Sequence, residues 1–263
     1  MLTLACTSAK LVPHTVNKNN NTTMKKTLLI AAAALAAGVI TSQAQVYSQN
    51  VVGYCNVVYS NGVQALTANP LQAGNNNGSA VFTNGIPDGS QIFQWNGVSS
   101  FNVFTYDAGL ASALSLTSPW FNGDESDVSA PPTLGNGSGF FLLPTATFTN
   151  TYVGSVAASV GSTVTNSLAN GAQALVASII PYAGSLTNTT IAFTPPDGTQ
   201  IFIWNGHGGF NASTYDVGLA SALSLTSPWF NGDESDVAPA PSINVAQGYF
   251  ILPTGNWKWI QAF

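Results

Sequence analysis

The chain has 263 residues, of which only 6% are charged, and its formal net charge is −5. Four of its five lysines lie before residue 27 and it has no arginine, so from Gln45 onward Lys258 alone faces ten carboxylates and the formal charge is −9. Such a chain cannot neutralise phosphates, which excludes nucleic acid and anionic membrane surfaces as partners.

Met24-Lys25-Lys26, the apolar run Leu28 to Ile40 and the small residues around Ser42-Gln43-Ala44 read as a signal peptide over 24–44, with the exported chain starting at Gln45. Residues 1–23 precede that leader and read as an upstream extension from a misassigned start. The apolar run is too short to cross a bilayer, and no Cys follows the cleavage point to take a lipid. The expectation is therefore an exported protein of the periplasm, cell surface or extracellular space, with no transmembrane segment after cleavage. Cys6 goes with the leader, so Cys55 has no intramolecular partner and reads as a small buried hydrophobe.

The rest of the chain repeats itself. A shift of 109 positions aligns Pro87 to Val128 with Pro196 to Val237 without a gap, and 34 of those 42 positions match. Within that stretch, Gly109 to Val128 is identical to Gly218 to Val237. The same shift pairs "NGVQAL" with "NGAQAL" and "GFFLLPT" with "GYFILPT". A period this long predicts two tandem domains of β-sandwich or barrel type, 45–150 and 151–263, with a seam near Asn150 to Gly154 and about 100 residues for each core.

In chain order, "QIFQWNG" and "FNVFTYD" alternate as short aromatic strands, and Asn96-Gly97 between them signals a hairpin, repeated at Asn205-Gly206. Asp107 can cap one or two helical turns with Leu110, Ala113 and Leu114 on one face. "GFFLLP" and "GYFILP" are apolar runs closed by Pro, the pattern of strands buried on both faces. The final "WKWIQAF", with Trp257, Trp259 and Phe263 on one side, reads as the closing strand of the second domain rather than the end of an outer-membrane barrel, because no ladder of ten-residue amphipathic strands precedes it.

Few residues can carry chemistry. His207 is the one histidine after the leader, and its counterpart is Val98, so it reads as a loop residue. Asp124, Glu125 and Asp127, repeated as Asp233, Glu234 and Asp236, exceed what one Lys can pair with. Asn122, Asp124, Ser126 and Asp127, with Asn231, Asp233, Ser235 and Asp236, supply the oxygens a calcium ion takes. The loop is no EF-hand, since the twelfth position from Asn122 is Thr133. The alternatives are a solvated acidic turn and a glycosidase carboxylate pair, the latter requiring two active sites in a small protein. Trp95, Tyr106, Trp120 and Phe121 recur as Trp204, Tyr215, Trp229 and Phe230. Exposed, such rings stack on sugars; buried, they fill a core. Trp120 and Trp229, with Phe121 and Phe230, are the expected sugar-binding set.

"VVGYCNV", "DGxQIFxWNG", "FNxxTYD", "GFFLLP" and the terminal "WKWIQAF" resemble a group of exported bacterial proteins frequent in Verrucomicrobia-type genomes. These carry two copies of a β domain with a Gly-aromatic-aromatic strand near each copy's end. The resemblance spans the chain from about Val46 onward; it implies export and a duplicated β fold and transfers no catalytic residue. Together with low charge, which favours self-association, these readings point to an exported, non-enzymatic surface or matrix protein requiring no cofactor, with calcium as an optional stabiliser. A carbohydrate-binding module that takes polysaccharide is the alternative, and a glycoside hydrolase stands behind both.

Overall fold

The computed structural model of the protein describes residues 52–263, so the upstream extension and signal peptide read from the sequence lie outside the described residues. The chain is mostly β, in several antiparallel sheets, with three short helices among the described residues. The first half contributes β1 (Val52–Tyr59), β2 (Ala65–Ala68), β3 (Ser90–Trp95), β4 (Phe101–Tyr106), β5 (Trp120–Asn122), β6 (Gly139–Leu143) and β7 (Phe148–Ser155). The second contributes β8 (Thr163–Leu168), β9 (Ala174–Ala177), β10 (Gly184–Ser185), β11 (Thr199–Trp204), β12 (Phe210–Tyr215), β13 (Trp229–Asn231), β14 (Ser242–Ile243), β15 (Gly248–Leu252) and β16 (Trp257–Ala262).

Both halves use one plan. A five-stranded sheet runs β2-β6-β3-β4-β5 in the first and β9-β15-β11-β12-β13 in the second. Each half adds a two-stranded ribbon, β1 with β7 and β8 with β16, so "WKWIQAF" does close the second half. β7 runs unbroken through the seam read from the sequence, and its pairing with β1 extends from Phe148 to Ser155. The hairpins form at the expected Asn-Gly steps: Asn96 turns the chain by accepting from the backbone N–H of Val98, Ser99 and Ser100. Gly97 and Gly206 sit there at φ +83° and +79°.

The helices are α1 (Gly78–Val81), α2 (Ala108–Ala113) and α3 (Val217–Ala222). Asp107 caps α2 by accepting from Leu110 N at 2.6 Å, as the sequence suggests. Asp88 adds a second carboxylate from the loop before β3, bonding Ala108 N at 2.8 Å and Gly109 N at 3.0 Å. Asp216 and Asp197 do the same for α3. Three otherwise orphaned N–H groups are thus satisfied in a helix too short to hold itself. The expected apolar face is corrected: Ala111 is the buried residue, whereas Leu114 is exposed. The helix ends before a further turn can carry Leu114 inward, and Ser115 takes φ +57°.

Neighbouring strand residues face opposite ways, so each five-stranded sheet buries two surfaces. On one side Ile92, Phe140 and Leu142, with Ile201, Tyr249 and Ile251, join a core that is continuous between the halves. On the other, Leu66 and Phe141 meet Leu175 and Phe250, flanked by Phe93, Trp95, Phe101, Phe202 and Trp204. The β6 and β15 runs are therefore buried on both faces, as expected. The two separate cores expected from the repeat are replaced by shared ones.

Contacts between the halves are reciprocal, which defines a pseudo-two-fold axis. Thr67 bridges Gln247, and Ser138 bridges Val176. Ala68 N donates to Ala246 O at 2.9 Å, and Ala177 N to Gly137 O at 3.0 Å. Glycine is required where the backbones meet: a Cβ at Gly248 would lie 2.8 Å from Thr67 O and 3.2 Å from Gly139 Cα. Gly248→Ala is expected to cost about 1–3 kcal/mol in denaturant unfolding. Gly135→Ala, with no atom within 4 Å of the added Cβ, should be near neutral; equal effects at the two positions would contradict this packing.

Candidate functional site

The duplicated acidic segment is a closed turn after a core strand. Asn122 N donates to Asp127 O, Phe121 bridges Val128, and Ser129 N returns to Trp120 O. Glu125 and Glu234 hold the turn at φ +60° and +62°. Asp124 Oδ1 accepts from Ser126 N at 3.2 Å and from Ser126 Oγ at 2.8 Å, while Asn122 Nδ2 donates to Ser126 Oγ and Asn122 Oδ1 accepts from Asp127 N. Asn231, Asp233, Ser235 and Asp236 repeat the arrangement. Asp124 Oδ1, Asn122 Oδ1 and Ser126 Oγ are thus engaged with donors of their own loop, which leaves the Asp127 carboxylate as the nominated group without a loop donor, where a hard cation takes six to eight oxygens. Among the described residues, no three His, Cys, Asp or Glu side chains gather around one point.

The aromatic residues nominated for sugar contact lie elsewhere than expected. Trp120 is 0% exposed, and Phe121, Trp229 and Phe230 are buried with it. This corrects the expectation of exposed stacking faces. Trp120 lies against Gly78 in α1, donates Nε1 to Ser79 Oγ at 2.9 Å and meets Tyr106 edge-on. Trp229 packs between Tyr215 and Phe193. These rings, strictly repeated in sequence, are core.

His207 is exposed in the β11–β12 loop with Nδ1 on Asn205 O. Cys55 is half-buried against the core, and burial pushes its thiol up. The Tyr249 hydroxyl is wholly buried and has no hydrogen-bond partner among the described residues; Phe140 stands at the equivalent place in the first half.

The concave aromatic site is on the pseudo-two-fold axis. Six rings close a circuit of edge-to-face contacts: Trp95–Phe101 at 5.1 Å, Phe101–Phe141 at 5.7 Å, Phe141–Trp204 at 5.4 Å, Trp204–Phe210 at 5.1 Å, Phe210–Phe250 at 5.7 Å and Phe250–Trp95 at 5.6 Å. The indoles are fixed reciprocally, Trp95 Nε1 to Gln173 O at 3.0 Å and Trp204 Nε1 to Gln64 O at 2.9 Å. A cleft of about 380 Å³ opens here, lined by aromatic side chains and by Gln64 and Gln173, with no charged residue. Sequence reasoning named Trp95 and Trp204 among the recurring rings and passed over the rest of this set. Its signal was the adjacent pair Phe140-Phe141: such a pair faces both ways in a strand and demands a second burying surface.

The acidic turn makes a pH prediction. Serine hydrogen bonds hold the Asp124 and Asp233 carboxyls below the usual aspartate value. A depressed folded value means that the stabilisation is present above the ordinary aspartate value and is lost as pH falls through the lower one. In a carboxyl NMR titration both should titrate below ordinary aspartates, and Ser126→Ala should raise Asp124 alone. Added calcium should leave both resonances in place; a calcium-dependent shift would instead make the turn a cation site. No protein-family model, no curated protein and no solved structure matches this chain.

Proposed function

We propose that the protein is an exported, non-enzymatic component of a surface or matrix layer, assembling with copies of itself through the edge of β1. The observation that carries this reading is the outer face of the β1–β7 ribbon. β1 alternates inward and outward, and on its outer face Tyr54 is 76% and Val58 65% exposed, beside Val52 and, from β7, Val153. Tyr54 and Val153 are paired across the ribbon. The other edge of β1 pairs with no strand among the described residues.

Neither strand holds a charge, a proline or a bulge, the usual guards against edge pairing. The second half shows what a guarded ribbon looks like. At the positions of Val52, Tyr54, Val58 and Val153 it has Gly161, Thr163, Ser167 and Ala262, and its outer face carries Lys258 beside the one large apolar side chain, Ile260. Two β1 edges meeting antiparallel form an isologous contact, adding backbone hydrogen bonds to apolar burial. No helix among the described residues is long and apolar enough to cross a membrane.

Sedimentation velocity over rising protein concentration tests the reading. Association is expected, and salt should strengthen it by screening the net negative charge of the chain. Tyr54→Lys with Val58→Lys, on an exposed face, should give a folded monomer under the same conditions. A wild-type protein that stays monomeric at every concentration and salt, or a double variant that assembles equally well, would overturn it.

A further inference from the structure

We infer that the cleft on the pseudo-two-fold axis is a binding site for a neutral oligosaccharide, taking one or two pyranose rings. Its volume, about 380 Å³, is at the lower end of the range of about 300–1,000 Å³ usual for small-ligand sites, which suits one or two rings rather than a longer buried chain. The cleft is reached from the surface: Phe210 is 39% exposed and Gln173 is exposed, while Phe250 closes the floor.

The lining selects the ligand class. No charged residue faces the cleft, so an ion would lose its hydration there without gaining a counter-charge. A wholly apolar ligand would use the rings but not the side-chain amides of Gln64 and Gln173, the two polar residues of the lining. Those side-chain amides are not spent on the tryptophans, because the indoles are held by the backbone carbonyls of the same two residues. A pyranose satisfies both requirements. Its C–H patches meet Trp95, Phe101 and Phe210, and its hydroxyls exchange hydrogen bonds with the amides. The amides occupy equivalent positions on either side of the axis, 109 residues apart, which suits a ligand that repeats its own hydroxyl pattern as an oligosaccharide does.

This site stands apart from the β1 edge, so either can fail without the other. The test is calorimetric titration of the whole protein with cello-, xylo-, manno- and chitohexaose, with an anionic galacturonate hexamer and an anilinonaphthalene dye as the charged and apolar probes. Saturable binding of at least one neutral hexasaccharide is expected, weakened at least tenfold by Gln173→Ala and by Phe210→Ala and unchanged by Tyr54→Lys. Gln173 is exposed and its truncation removes no core contact, so that variant still decides the matter if Phe210→Ala fails to fold. No saturable binding of any neutral sugar overturns the assignment, as does binding that Gln173→Ala leaves intact, or occupancy by the galacturonate hexamer or the dye alone.

Discussion

Six aromatic side chains, three from each half, interlock edge to face on the pseudo-two-fold axis, and the architecture depends on them. Every contact in the circuit spans 5.1–5.7 Å, the range in which ring quadrupoles attract and each pair adds about 0.5–1.5 kcal/mol beyond area burial. Because the rings alternate between halves in two places around the circuit, neither half can complete it alone. The glycines at the start of β6 and β15 allow that approach, since their backbones meet where any side chain would intrude. Each Gly-aromatic-aromatic strand thus has three consecutive tasks: close contact at the axis, filling the main core with Phe140 or Tyr249, and closing the circuit with Phe141 or Phe250.

Much of this was legible in the sequence because it is local. Alternation places β3 and β4, Asn96-Gly97 turns them, and Asp107 caps a helix within hydrogen-bonding reach of its own chain. What eluded sequence reasoning depends on distant partners. Trp120 and Trp95 look alike as residues in short strands, yet Trp120 is sealed beneath Gly78 and Ser79, some forty positions earlier, whereas Trp95 lies at the rim between halves. Asp88 reaches the start of α2, twenty positions on, only because the fold carries it there. That the halves share cores follows from counting faces: Phe93, Trp95 and Phe141 are apolar on the side away from Ile92 and Leu142, and a sheet apolar on both sides needs two partners.

The strict identity of the repeated segment now has a structural reading. Its Trp and Phe fill the same core position in each half, and its Asn, Asp and Ser close the same hydrogen-bonded turn. The halves diverge at the exposed hairpin tip, Val98-Ser99-Ser100 against His207-Gly208-Gly209, on the outer faces of the ribbons, and in the core, where Tyr59, Asn150 and Tyr152 correspond to Leu168, Trp259 and Gln261. On those outer faces β1 presents Val52, Tyr54 and Val58 around Asn56, where the second half has Gly161, Thr163 and Ser167.

The central claim is that the halves fold as one unit through the aromatic circuit, and hydrogen exchange of Phe141→Ala measures it most directly. Removing a buried Phe should cost about 3–5 kcal/mol, and because Phe141 touches Trp204 and Phe250, amides of β11, β12 and β15 should lose protection together with those of β3, β4 and β6. Loss confined to the first half, with the second keeping its wild-type protection, would contradict the account and make the halves independent domains.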